Sequence, residues 1–156
     1  MTVQLYLSMN RLDLAQKEYE RAKSWAEDDM LLQLIEATVG LASGANNYSN
    51  PHSFYNEQAG NPSLTSSHLV TAKGLTHLLR GELPEAQAAF AEALKLNPTE
   101  SNALAGKATT EWLSGDAAKS EASLRSVPSP YRSLRLTLFP QESYRRKIQA
   151  IPWSRS

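Results

Sequence analysis

Three histidines, His52, His68 and His77, are by type the side chains best suited to hold a metal ion or move a proton near neutral pH. Their spacing serves neither purpose. No two stand four apart on one helix face, none has the flanking carboxylates of a zinc site, and the chain has no cysteine to complete one. The acid run Glu27, Asp28, Asp29 lacks the glycine turn and spaced oxygens of a calcium loop. It precedes an apolar stretch and is read as the N-cap and first-turn charge of a helix. No GxSxG, phosphate-binding loop or dinucleotide fingerprint occurs. Arg145, Arg146 and Lys147 form a tight basic cluster, and Glu142, four residues before Arg146, marks it as a solvated helix face. The expectation is a non-enzymatic chain with no cofactor and no metal.

Composition narrows the partners. The chain has 156 residues, 41% of them hydrophobic and 21% charged, the profile of a folding globular protein and enough chain for one domain. Sixteen basic and sixteen acidic side chains cancel. No net field would draw the chain onto a phosphate backbone or an anionic bilayer, so a nucleic-acid partner is not expected. The absence of cysteine fits a reducing compartment, and the cytosol is expected. The apolar run Leu31 to Val39 is broken by Gln33 and Glu36 and falls short of the roughly 20 residues a membrane span needs. The start MTVQLYLSMNRLDLAQ has no basic region, apolar block and small-residue cleavage site in succession.

What positions the remaining side chains is an internal repeat. From Ser67 to Glu100, Gly74, Gly81, Ala86, Phe90, Ala93 and Pro98 fall at the eighth, fifteenth, twentieth, twenty-fourth, twenty-seventh and thirty-second positions of the tetratricopeptide pattern. Gly74 and Ala86 are small where two antiparallel helices cross closely. Gly81 ends the first helix in a left-handed cap, and Pro84 stands in the tolerated first turn of the second. Phe90 fills the space between helices, Ala93 admits the next repeat, and Pro98 stops the helix after Leu96. His77 holds the tyrosine position, which predicts a ring packed between helices.

The same register extends both ways. Forward, Ala108, Gly115 and Leu124 take the positions of Gly74, Gly81 and Phe90, with the second helix cut short by Pro128 and Pro130. Backward, Ala37 and Gly44 are in register, and a polar stretch ANNYSNPHSFYNEQAG follows. Its helical half is expected from near Asn50, with Tyr55 brought to the aromatic position by a two-residue insertion. Earlier still, Tyr6, Ala15, Tyr19 and Ala22 fit another repeat, with Asn10 at the turn where glycine is usual. The expected fold is all-α, a tetratricopeptide-type helical-hairpin solenoid in one domain. It comprises a partial repeat 1–29, repeats 30–66, 67–100 and 101–132, and a C-terminal capping helix 140–151 carrying Tyr144, Ile148 and Ile151 on one face. Because the chain opens inside a repeat, it is read as the C-terminal part of a longer protein.

In such a fold the first helix of each repeat lines a concave groove at about its second, fifth, ninth, twelfth and thirteenth positions. These are Leu31, Leu34, Thr38, Leu41 and Ala42, then His68, Thr71, Leu75, Leu78 and Leu79, then Asn102, Ala105, Thr109, Trp112 and Leu113. About half of these leucines are needed for the core, yet the lining remains apolar and hydroxylic, which suits an apolar protein partner held stably. Thr38, Leu41, Thr71, Leu75, Leu78, Thr109 and Trp112 are the expected contacts, with Trp112 the principal anchor or, in the competing account, a seal against the C-terminal helix. Tetratricopeptide domains that clamp chaperone carboxylates place lysine and asparagine where Thr71 and Leu75 stand, so that use is not expected.

The segment TVQLYLSMNRLDLAQKEYERAKSWAEDDMLLQLIEATVGLASG resembles the C-terminal half of the epsilon subunit of coatomer. The resemblance is strongest over residues 2–44, in VQLYL, RLDLAQKEY and DDMLLQLIEATVGLASG, and continues more loosely through FYNEQA and the clear repeat. It implies a non-catalytic subunit of the coat on retrograde Golgi vesicles, bound through its repeats to the C-terminal domain of the alpha subunit. It also implies a cytoplasmic location, peripheral on Golgi membranes through the coat, and further repeats before Met1. The alternatives are a generic cochaperone or assembly-factor module and, more distantly, an accessory domain of an enzyme.

Overall fold

The computed structural model describes residues 2–25, 29–44 and 48–128. Among them run eight α-helices and no strand: α1 (Thr2–Ser8), α2 (Leu12–Lys23), α3 (Met30–Ser43), α4 (Ser49–Gly60), α5 (Ser67–Arg80), α6 (Leu83–Leu96), α7 (Ser101–Leu113) and α8 (Ala117–Ser126). They fall into two compact units, Met1–Pro62 with α1 to α4 and Ser63–Ser156 with α5 to α8. In each unit, helices that follow one another pack as hairpins, so the all-α, tetratricopeptide-like class expected from the repeat is observed. The expected capping helix 140–151 and the end of the last repeat lie outside the described residues.

One turn is used three times. Asn10, Gly81 and Gly115 hold left-handed φ values of 55°, 82° and 92°. At each, the left-handed residue's own amide donates three residues back: Asn10 to Leu7, Gly81 to Leu78, Gly115 to Trp112. The next amide donates five back, Arg11 to Tyr6, Glu82 to His77 and Asp116 to Glu111, at 2.8 to 2.9 Å. This Schellman pattern satisfies carbonyls that a helix end otherwise leaves bare. Five residues after each left-handed position comes a small, fully buried side chain, Ala15, Ala86 and Ser120, where the second helix crosses the first. Gly44 ends α3 the simpler way, at φ 67°, with its amide donating to Gly40.

In the first unit Val3, Ala15 and Val39 form a core that Tyr6, Leu7, Leu12 and Ile35 complete. These fall at helical spacing on α1, α2 and α3, so each helix turns one apolar stripe inward. Asp29 caps α3, its carboxylate accepting the Leu31 amide at 2.7 Å, which is the cap expected of the acid run. The polar second helix of that repeat, α4, begins at Ser49, one residue before the expected start. Tyr55 is buried at its aromatic position with Phe54 edge-on to it, centroids 5.3 Å apart. Pro51, in the first turn of α4, is also buried, against Gly40.

In the second unit α6 buries Ala86, Ala89, Phe90 and Ala93, one face at i, i+3, i+4 and i+7. Burial of Phe90 alone stabilises by about 2–3 kcal/mol. The repeat period recurs in the buried pairs Val70 and Leu104, Gly74 and Ala108, Thr76 and Thr110. The two threonines are wholly buried, and their hydroxyls donate to the Lys73 and Lys107 carbonyls, so neither donor is stranded. Past Leu96 the chain turns as Asn97 Oδ1 accepts the Thr99 amide, with Pro98 between them. The last helix among the described residues, α8, is shorter than α6, as Pro128 requires, and Ser123 ties it to Glu111 of α7 at 2.7 Å.

Candidate protein-binding groove

Helices α5 and α7, the first helices of two successive repeats, lie side by side, and a cavity of about 480 Å³ opens between them. One wall is His68, Thr71, Ala72, Leu75 and Leu78 of α5; the other is Asn102, Ala105, Gly106 and Thr109 of α7; Phe90 of α6 reaches in between. Seven of these residues are those that counting along the repeat assigns to the groove. The structure thus gathers Thr71, Leu75, Leu78 and Thr109 into one concavity. Trp112, half-buried on α7, is not part of its walls. Thr38 and Leu41, both partly buried, lie on α3 in the first unit.

The threonine hydroxyls are already engaged. Thr71 donates to the Ser67 carbonyl at 2.6 Å and Thr109 to the Ala105 carbonyl at 2.8 Å, each one turn back on its own helix. Both therefore show the groove a methyl group and lone pairs but no free donor. Thr38 does the same, donating to Leu34 at 2.7 Å, and its hydroxyl also meets that of Tyr55, whose pKa burial pushes up against the opposing effect of that bond. No lysine or arginine lines the cavity. It is an apolar trough with acceptors along its sides.

At one end a histidine meets a buried carboxylate. His68 Nδ1, on an exposed ring, lies 3.2 Å from Oε2 of Glu100, a carboxylate only 6% exposed that also takes the Ser67 hydroxyl at 3.5 Å. Glu100 immediately precedes α7, and nothing in the repeat pattern marks it, because its burial depends on α5. His77 behaves as its tyrosine position predicts: 12% exposed, its Nδ1 lies 2.6 Å from Glu82 Oε2, while Arg80 donates to Oε1 at 2.8 Å. The His77 bond, then Arg80, hold the Glu82 carboxyl below its usual pKa. These groups brace the turn between α5 and α6.

A family model described as the coatomer epsilon subunit matches residues 1–138. The chain belongs to that family. No solved structure matches it.

As a coatomer epsilon-family chain it is a vesicle-coat subunit, made to assemble with other proteins, and belongs to a family of structural coat components. Among the described residues no helix is long and apolar enough to cross a membrane. The first unit, where the sequence resemblance is strongest, has a smaller hollow of about 170 Å³ among α2, α3 and α4. There the Tyr19 hydroxyl bonds to Glu36, joining α2 to α3, and burial together with that carboxylate pushes the phenol up to about 12. Pro51 fills the place where Gly40 has no side chain: a β-carbon on Gly40 would stand 2.8 Å from Pro51 Cγ.

Proposed function

We propose that this coatomer epsilon-family chain is a non-catalytic adaptor that holds the C-terminal domain of the alpha subunit in its groove, acting in Golgi-to-ER and intra-Golgi transport on coated Golgi membranes. The observation that carries this reading is the trough between α5 and α7, largely apolar and lined by no lysine or arginine, its threonine donors already satisfied. Such a surface gains little from a charged tail and much from burying apolar side chains. Thr71, Leu75, Leu78 and Thr109 supply that contact, with Trp112 and, on the first unit, Thr38 and Leu41 as further contacts. A cochaperone role is disfavoured by the same chemistry: an anionic C-terminus would meet Thr71 and Leu75 where a carboxylate clamp needs donors.

The test uses the purified C-terminal domain of the alpha subunit and the full chain on a sizing column. Co-elution is expected. Separate elution at micromolar concentrations, alongside capture of a chaperone C-terminal peptide ending in a free carboxylate, would reverse the assignment.

A further inference from the structure

Phe90 and Gly106 stand in an unusual relation. Gly106 lies in the middle of α7, where glycine is among the least favourable helix residues. A β-carbon there would come within 2.5 Å of Phe90 Cε1 and nearer still to Cζ, closer than any real contact. From the opposite helix, a β-carbon on Gly74 would stand 2.9 Å from the same Cε1. The ring of Phe90, carried by α6 and almost wholly buried, is thus slotted between two bare backbones, and it borders the groove from beneath.

We propose that Gly106 is a specificity-determining residue for partner binding: by giving the Phe90 ring somewhere to lie, it sets the depth of the trough and hence the size of apolar side chain the partner can insert. The proposal rests on the groove being the site for the alpha subunit. With a methyl group at position 106 the ring must leave its slot. Gly74 and the α5 backbone close one side, and the cavity, which the ring borders, is the empty space beside it into which it would move. The displaced ring raises the floor and occupies the volume the partner's anchor needs. Nothing in the repeat register demands glycine at the sixth position, so the requirement is local to this groove.

The test measures binding of the purified C-terminal domain of the alpha subunit by wild type, Gly106→Ala, Phe90→Leu with Gly106→Ala, and Leu75→Arg, each checked for helicity and thermal midpoint. Gly106→Ala should remain folded and bind at least about tenfold more weakly. Phe90→Leu with Gly106→Ala should recover most of the binding, because leucine lacks the Cε and Cζ atoms that the methyl group meets. Unchanged binding by a folded Gly106→Ala, where Leu75→Arg abolishes it, overturns the proposal and leaves the groove reading standing. So does a loss the double variant does not rescue, since the ring is then not the obstacle. If Gly106→Ala unfolds, the ring has no exit into the groove and Gly106 serves folding, which also overturns it. Binding by Leu75→Arg at wild-type strength removes the groove reading and this inference with it.

Discussion

Gly74 of α5 faces the ring of Phe90 of α6 with no side chain between them, a β-carbon's place on the glycine being 2.9 Å from the ring. This contact within the hairpin therefore depends on a missing atom, and Ala86 is fully buried in the same hairpin. Gly74→Leu and Ala86→Leu should each destabilise the second unit by about 1–3 kcal/mol through overpacking, read as a lowered thermal midpoint. Unchanged midpoints for both would show that the hairpin packs in another register.

The three Schellman turns allow backbone strain to be separated from crowding. At Gly115 a β-carbon would meet nothing within 4 Å, yet φ is +92°. Gly115→Ala should therefore lose about 1–2 kcal/mol, all of it conformational. Asn10 already carries that penalty at φ 55°, so Asn10→Gly should raise the stability of the first unit by up to about 1 kcal/mol. Denaturant titration of the two variants gives both signs in one experiment.

Acid should loosen the turn between α5 and α6. The Glu82 carboxyl is lowered from its usual 4.5 by His77 and Arg80, so the native state binds its proton more weakly than the unfolded chain. Its contribution is present above about 4.5 and disappears as the pH falls through the lowered native value. Wild type should thus be more stable than Glu82→Gln at pH 7, and the gap should close below the carboxylate range. A gap that persists at pH 2 would assign the effect to packing.

Much of this architecture can be read in the residues because the turns impose local demands. Left-handed backbone leaves few choices, so Gly81, Gly115 and the substitute Asn10 announce themselves, and Gly44 with them. Once those turns fix the period, counting along α5 and α7 gives His68, Thr71, Leu75, Leu78, Asn102, Ala105 and Thr109 as one surface. What stayed hidden depends on a neighbour. Gly106 has meaning only opposite Phe90, Gly40 only opposite Pro51, and the burial of Glu100 only through α5. The threonines are hydroxylic in the sequence, and only the helix geometry shows that the carbonyls one turn back take their protons. Trp112 repeats the position of Leu78 on the next helix, yet the cavity draws on the edge of α7 that meets α5, which carries Asn102, Ala105 and Thr109.

The proposed seat of the alpha subunit's C-terminal domain, the trough between α5 and α7, can be tested by a paired substitution. Leu75, 39% exposed in that trough, and Leu96, 53% exposed at the end of α6 and outside it, allow the same chemical change inside and outside the site. Isothermal titration of the domain into Leu75→Arg and Leu96→Arg should show binding weakened by about thirtyfold or more for the first and unaltered for the second, with both proteins retaining the wild-type helical spectrum. Equal affinities for the two variants, or a loss confined to Leu96→Arg, would place the partner on another surface.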